Sequence, residues 1–184
     1  HDRDSMIYSD GAGASIVEAV ESDEKKGLLA SSIASHTKEE AYYLYLGKSN
    51  FPESDARIRY IKMDGRKIYE YAISNVPQAM KEALDKTNIH ISEVKKVLIH
   101  QANEKMDEAM IKRLFRLFGQ KDAPEDIMPM SIHKLGNSSV ATVPTLFDLL
   151  RSNNCNGHRV FENDILVFAS VGAGMNINSF VYRY

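Results

Sequence analysis

The stretch Val94-Lys95-Lys96-Val97-Leu98-Ile99-His100-Gln101-Ala102-Asn103 decides the fold. Val94 and the run Val97-Leu98-Ile99 read as a buried strand that stops at His100. Asn103 offers a side-chain cap to a helix. Met106, Met110, Leu114, Leu117 and Phe118 recur behind it at helical spacing, and Gly119 ends that helix. A strand handing over directly to a helix is the unit of a layered α/β domain.

Upstream, the pattern from Gly65 is helical. Ile68, Tyr71 and Ala72 form one patch, and Val76, Ala79, Met80, Ala83 and Leu84 another. Pro77 is expected early in a second helix, where a missing N–H costs little. Residues 36–64 have no clean period and predict a long excursion. Gly27–Ile33 reads as a strand. Met6-Ile7-Tyr8 and Ala14–Val20 read as two more, joined by Ser9-Asp10-Gly11-Ala12-Gly13.

Downstream, residues 124–133 form a connector with a short strand. Leu135-Gly136-Asn137-Ser138-Ser139 then opens another helix. Its Val140, Ala141, Val143, Leu146, Phe147, Leu149 and Leu150 point in nearly every direction, which predicts burial on all sides. Asn153–Gly157 is a polar loop. Asp164–Val171 and Met175–Tyr182 read as antiparallel strands across Gly172-Ala173-Gly174. Strands alternating with helices, closed by a hairpin, indicate an α/β domain with a mixed sheet.

At 184 residues the chain suits one ordinary domain or half of a larger unit. With 43% hydrophobic and 26% charged residues, a packed core is feasible. A formal net charge of -2 argues against a dedicated nucleic-acid binder and leaves room only for a local basic patch. A single cysteine, Cys155, excludes an internal disulfide and any multi-thiolate metal cluster. An unpaired thiol fits a reducing compartment, so a cytoplasmic location is expected. The longest apolar stretch, Ile165–Met175, has 11 residues, against the roughly 20 that span a membrane. His1-Asp2-Arg3-Asp4 lacks both an initiator Met and a signal-peptide core, so the chain is read as cut from a longer protein.

His100 stands at the carboxyl end of a strand, where open α/β sheets bind ligands. Taken alone it is more simply a satisfied core or edge histidine. Asn137, at the mouth of the buried helix, is taken alone a turn or cap residue. Together they bring two neutral donors from separate elements, a pair suited to an oxyanion. An imidazole in that role stays neutral, with its donor nitrogen turned to the substrate. The Gly172-Ala173-Gly174 turn is first a hairpin turn, but a free N–H there is also an oxyanion donor.

Other combinations fail. Gly11-Ala12-Gly13 lacks the third glycine and the following helix of a dinucleotide fingerprint. Cys155 and His158 lack an orienting third group, so the thiol reads as solvated or incidental. The histidines at 36, 90, 133 and 158 lack ligand spacing, so no metal is expected.

Asp10-Gly11-Ala12-Gly13-Ala14, Met63-Asp64-Gly65-Arg66, His100-Gln101-Ala102-Asn103, Gly136-Asn137-Ser138-Ser139 and Val171-Gly172-Ala173-Gly174 occur in order and at the spacing of one family. The chain resembles the C-terminal half of β-ketoacyl-acyl-carrier-protein synthase III over essentially its whole length. The resemblance implies half of a thiolase-like α-β-α-β-α fold: a mixed five-stranded sheet with helices on both faces. It implies decarboxylative condensation of an acyl thioester with a malonyl-carrier protein, in fatty-acid or related lipid or polyketide synthesis. His100 and Asn137 match the residues that stabilise the malonyl enolate. Ala173, beside Gly172, matches the backbone donor for the acyl-enzyme oxyanion. No cofactor is implied, since substrates ride on CoA or on the phosphopantetheine of acyl-carrier protein. The implied partners are acyl-carrier protein, acyl-CoA, the chain's own N-terminal half and a second subunit in a homodimer, with neither nucleic acid nor membrane.

Two departures stand out. Glu104-Lys105 replaces the arginine often found after His-Gln-Ala-Asn, so Lys105 keeps a carrier-docking charge without the forked geometry. Residues 36–60 match no motif and are expected at the acyl pocket or its rim. The family's nucleophilic cysteine belongs to the N-terminal half, and Cys155 does not match it, so this chain alone is expected to be inactive. Without that half, the helix after Ser139 would expose an apolar patch and drive self-association. Alternatives within reach are a non-decarboxylating acyltransferase or thioesterase relative, and a non-catalytic acyl-thioester binding module.

Overall fold

The computed structural model describes residues 1–184. In chain order the elements are β1 (Gly27–Ser35), β2 (Leu44–Gly47), β3 (Tyr60–Met63), α1 (Gly65–Asp85), β4 (Val94–Ile99), α2 (Glu104–Leu117), α3 (Ile132–Leu135), α4 (Thr142–Arg151), β5 (Ile165–Gly172) and β6 (Asn176–Arg183). The main sheet runs β1-β6-β5-β4, with β4 parallel to β5 and the other pairs antiparallel. A separate antiparallel pair, β2 with β3, occupies the excursion.

Both faces of the sheet are covered, which is why β4 reads as an apolar run rather than an alternation. Val97, Ile99, Val167, Ala169, Ile177 and Val181 pack with α1 and α2 on one side. Leu98, Leu166 and Phe168 pack with Leu146 and Leu150 of α4 on the other. The mixed sheet with helices on both faces is therefore present. It has four strands rather than the expected five, because Ala14–Val20 takes no regular structure and leaves Ile16 and Val17 in solvent. β1 is the outer strand, and no segment pairs with its free edge. A strand-like sequence without a neighbour has nowhere to place its backbone hydrogen bonds. Met6-Ile7-Tyr8 is likewise no strand, since Arg3–Ile7 forms a 3-10 turn.

The expected break at Pro77 is absent. α1 is one helix of 21 residues with Pro77 inside, capped by Asp64, which accepts from Lys67 N at 3.2 Å. An interior proline costs about 3 kcal/mol. Tyr71, Val76, Met80 and Leu84 are buried around it, and each contributes about 1.5–3 kcal/mol on burial. Packing therefore outweighs the missing bond. Residues 124–131 hold no strand. Val97 N donates to Ile127 O at 2.8 Å, and the buried Lys96 Nζ donates to Asp126 O at 2.5 Å and to Asp126 Oδ2 at 3.0 Å, which ties them to the edge of β4.

A 3-10 turn, Ser139–Ala141, leads into α4. Only Thr142, Leu146 and Leu150 of α4 are buried. Val140 is 89% exposed. The helix expected to be buried all round is thus fully buried at only three positions; Val143, Phe147 and Leu149 are half-buried against the same core, and the exposed apolar residue, Val140, precedes the helix. Residues 11–13 run against its mouth. A Cβ on Gly13 would lie 2.3 Å from Pro144 Cγ, and one on Gly11 2.9 Å from Ser138 Cβ. Close approach, not turn geometry, selects those two glycines. Cys155 is not solvated as expected. It is 3% exposed in the core under α4, and burial pushes its thiol up.

Gln101 is fully buried and fastens the connector to the end of β4. Its Nε2 donates to Pro129 O at 2.8 Å. Its Oε1 accepts from Ser131 N at 2.9 Å, Ser131 Oγ at 3.2 Å and Ile132 N at 3.0 Å. Asp107 on α2 is the opposite case: it is buried, and neither carboxylate oxygen has a partner. Burial first, then Glu104 and Glu108, push its carboxyl up to about 8.

Gln101→Ala strands two buried backbone N–H groups and a carbonyl. Each such group costs about 1–3 kcal/mol, so chemical denaturation should show a loss of at least about 2 kcal/mol. The folded state holds the Asp107 proton far more tightly than the unfolded chain does. Stability should therefore fall as pH rises from about 4 to about 8, with a slope of up to ~1.4 kcal/mol per pH unit. Asp107→Asn should flatten that segment of the stability–pH curve; an unchanged slope would assign it to other groups.

Candidate active site

His100 is placed by sheet pairing carried one residue past β4, its N–H donating to Ala169 O at 3.0 Å. Asn137 follows Gly136, whose φ of +67° few other residues adopt. Tyr8 forms a parallel bridge with Asn137, and Ser9 N donates to Asn137 O at 2.8 Å. The two predicted side chains meet on a third residue. His100 Nδ1 lies 3.1 Å from Ser139 O, and Asn137 Oδ1 accepts from Ser139 N at 2.9 Å. Ser139 itself is left-handed, with φ of 53°. A non-glycine residue in that region is held there by its surroundings, here by one side chain on each side of its backbone.

These bonds fix the direction of both side chains. With Oδ1 occupied, Asn137 has its Nδ2 donor left free; the residue is 2% exposed. A carbonyl only accepts, so His100 Nδ1 carries a hydrogen. Burial lowers the His100 pKa despite the Ser139 hydrogen bond, and the ring is neutral near pH 7. A neutral ring protonated at Nδ1 presents a lone pair at Nε2. The expected neutrality holds; the expected donor nitrogen facing the substrate does not, because Ser139 O has claimed the proton.

A cavity of about 220 Å3 opens beside this pair. His100, Ser139, Val140, Val143, Phe168 and Gly172 are among its walls. Asn137 and Ala173 do not line it. Ala173 is exposed in the β5–β6 turn, where its N–H makes no hydrogen bond within the chain. Its carbonyl accepts from Asn176 Nδ2 at 2.8 Å, which sets the turn. Lys105 is exposed in the first turn of α2 and forms no ion pair. Sequence reasoning missed Ser139, whose contribution is backbone, and the part of Gln101, whose signal is a polar residue set directly behind a buried strand.

Comparison with known proteins follows this geometry. The family model for the 3-oxoacyl-[acyl-carrier-protein (ACP)] synthase III C terminal matches residues 84–184. Beta-ketoacyl-[acyl-carrier-protein] synthase III of Oenococcus oeni is 31% identical over 184 residues, covering 97% of this chain and 52% of that protein. The protein of the same name from Erythrobacter litoralis is 28% identical over 181 residues, again covering 97% and 52%. The chain therefore spans about half the length of the curated relatives it matches. In structure, 3-oxoacyl-(acyl carrier protein) synthase III of Pseudomonas aeruginosa aligns with a TM-score of 0.72 at 23% identity, over 90% of this chain and 47% of that one. The priming beta-ketosynthase of the R1128 polyketide pathway aligns at 0.70 and 21%, over 88% and 46%. These structures show a shared, thiolase-like fold. No helix here is long and apolar enough to cross a membrane. Because the family model takes in His100, Asn137 and the β5–β6 turn across more than half of the sequence, this chain belongs to the 3-oxoacyl-[acyl-carrier-protein] synthase III family and matches its C-terminal part.

Proposed function

We propose that this chain supplies the enolate-stabilising half of a site for decarboxylative condensation of an acyl thioester with a malonyl-carrier protein. The observation that carries the reading is the grip of His100 and Asn137 on the two sides of Ser139, which leaves the Asn137 amide free to donate. In the reaction the malonyl C–C bond breaks, carbon dioxide leaves and its electron pair forms a thioester enolate. The enolate carbon attacks an acyl-cysteine carbonyl, and the cysteine thiolate departs. Asn137 Nδ2–H donates to the enolate oxygen. His100 joins it by moving its proton from Nδ1 to Nε2, releasing Ser139 O without any change of charge. Ala173 N–H donates to the oxyanion of the acyl-thioester step.

The cysteine nucleophile belongs to the N-terminal half of the protein, which would also cover Val140 and the half-buried side of α4. Alone, the chain would be inactive in condensation. Acyl-CoA and acyl-carrier protein are the substrates and partners on this reading. Lys105 is the docking charge, the whole protein works as a homodimer, and no cofactor takes part.

In the full-length protein, Asn137→Ala should leave transfer of the acyl group to the cysteine intact. Release of labelled carbon dioxide from the malonyl substrate should fall by roughly two to three orders of magnitude, the scale for one oxyanion donor. Undiminished release would refute the assignment. Because the neutral imidazole is the working form and its pKa is lowered, decarboxylation should hold down to about pH 6.5, the ordinary histidine value. It should decline only below that, and the decline should vanish in His100→Gln.

A further inference from the structure

Residues 2–13 do more than enter the fold. At one end they are bound to the β2–β3 hairpin. Asp2 pairs with Lys62 of β3, and both side chains are almost fully covered, at 11% and 10% exposure. Asp2 also accepts from Ser49 Oγ at 2.6 Å and from Asn50 N at 3.1 Å, while Lys62 Nζ donates to Asn50 Oδ1 at 2.9 Å. Asp4 Oδ2 accepts from Met63 N at 3.1 Å. The bond from Lys62, then that from Ser49, holds the Asp2 carboxyl down to about 2, so this carboxylate stays ionised across the physiological range.

At the other end the same segment lies along the mouth of α4. Ser9 N donates to Asn137 O at 2.8 Å, and Ser9 Oγ to Leu135 O at 2.5 Å. A Cβ on Gly136 would fall 3.2 Å from Ser9 Cβ, a tight contact on top of the positive φ. Gly11 then meets Ser138 and Ala141, and Gly13 meets Pro144. Between the two ends lies the 3-10 turn Arg3–Ile7, which has no buried residue of its own. A segment without a core of its own is held by its two ends.

We propose that Asp2 and Lys62 are positioning residues for Asn137, acting through residues 2–13 as a strap between the β2–β3 hairpin and the mouth of α4. The strap rests on the reading of Asn137 as the enolate donor only for its consequence in catalysis. The coupling itself is a property of the fold. Cutting the ion pair frees the anchored end, and the Ser9–Asn137 hydrogen bond loosens with it. The hairpin, whose sequence matches no family motif, thereby acquires a role in setting the site without lining the cavity at His100.

The test uses amide hydrogen exchange on the full-length protein, read at Ser9 and at the sheet core. Lys62→Met and the milder Asp2→Asn should each raise the exchange rate of Ser9 N–H by about tenfold or more. Amides of the sheet core, such as Leu98, should be unchanged. Lys62→Arg, which keeps the pair, should stay close to the unaltered chain, as should Asp55→Asn, which breaks a surface pair with Arg57 in the same region. Unchanged Ser9 exchange in both Lys62→Met and Asp2→Asn would overturn the strap. In the full-length protein the same two variants should lower kcat for malonyl decarboxylation about tenfold at unchanged KM. If the unaltered full-length protein releases no carbon dioxide, the proposed reaction fails, while Ser9 exchange still judges the strap.

Discussion

Parallel pairing of β4 with β5 is the constraint on which the rest depends. It buries β4 on both faces, and it is continued by the bond from His100 N to Ala169 O. That single added rung brings the imidazole to the carboxyl end of the sheet, next to the β5–β6 turn. Gln101, one residue further on, binds the connector at three backbone groups and so fixes the approach to α3 and Gly136. A strand end thus serves as both an address and an anchor: one residue offers chemistry, and the next holds the segment that carries the second group.

Ser139 shows how the fold turns proximity into orientation. Its left-handed backbone is costly for a residue with a side chain. Two short hydrogen bonds hold it in that conformation. The bond it donates occupies the Asn137 carbonyl oxygen and leaves its amide N–H unused, and the bond it accepts decides which imidazole nitrogen carries the proton. On the proposed reaction, the same contact prepares one donor and withholds the other until the ring exchanges its proton. Electrostatics act in the same sense, since burial keeps His100 uncharged where an extra positive charge would cost desolvation.

Much of this was legible in the residues. The strand before His100, the cap at Asn103, the closing hairpin and the pairing of His100 with Asn137 follow from apolar period, capping chemistry and motif order. The misreadings share one cause, which is that a local pattern cannot report its neighbours. Pro77 looks like a boundary until the surrounding burial is weighed against one lost hydrogen bond. Ala14–Val20 looks like a strand, but it does not pair with the free edge of β1. Cys155 sits in a polar stretch of sequence and yet lies under α4. Residues 36–64 carry no period, and their short β2–β3 pair is tied to residues 1–4 through Ser49, Asn50, Lys62 and Met63, which composition does not display.

By itself the sequence determined the α/β class, the family, and which side chains are available for chemistry. Those properties reside in residue type and spacing, and spacing survives without a folded chain. Only the tertiary structure decided that Ser139 joins the two groups, that the His100 proton is on Nδ1, and that the first residues of the chain brace Asn137. Each of these depends on backbone hydrogen-bonding groups, which every residue carries alike and which acquire direction only once the chain has folded.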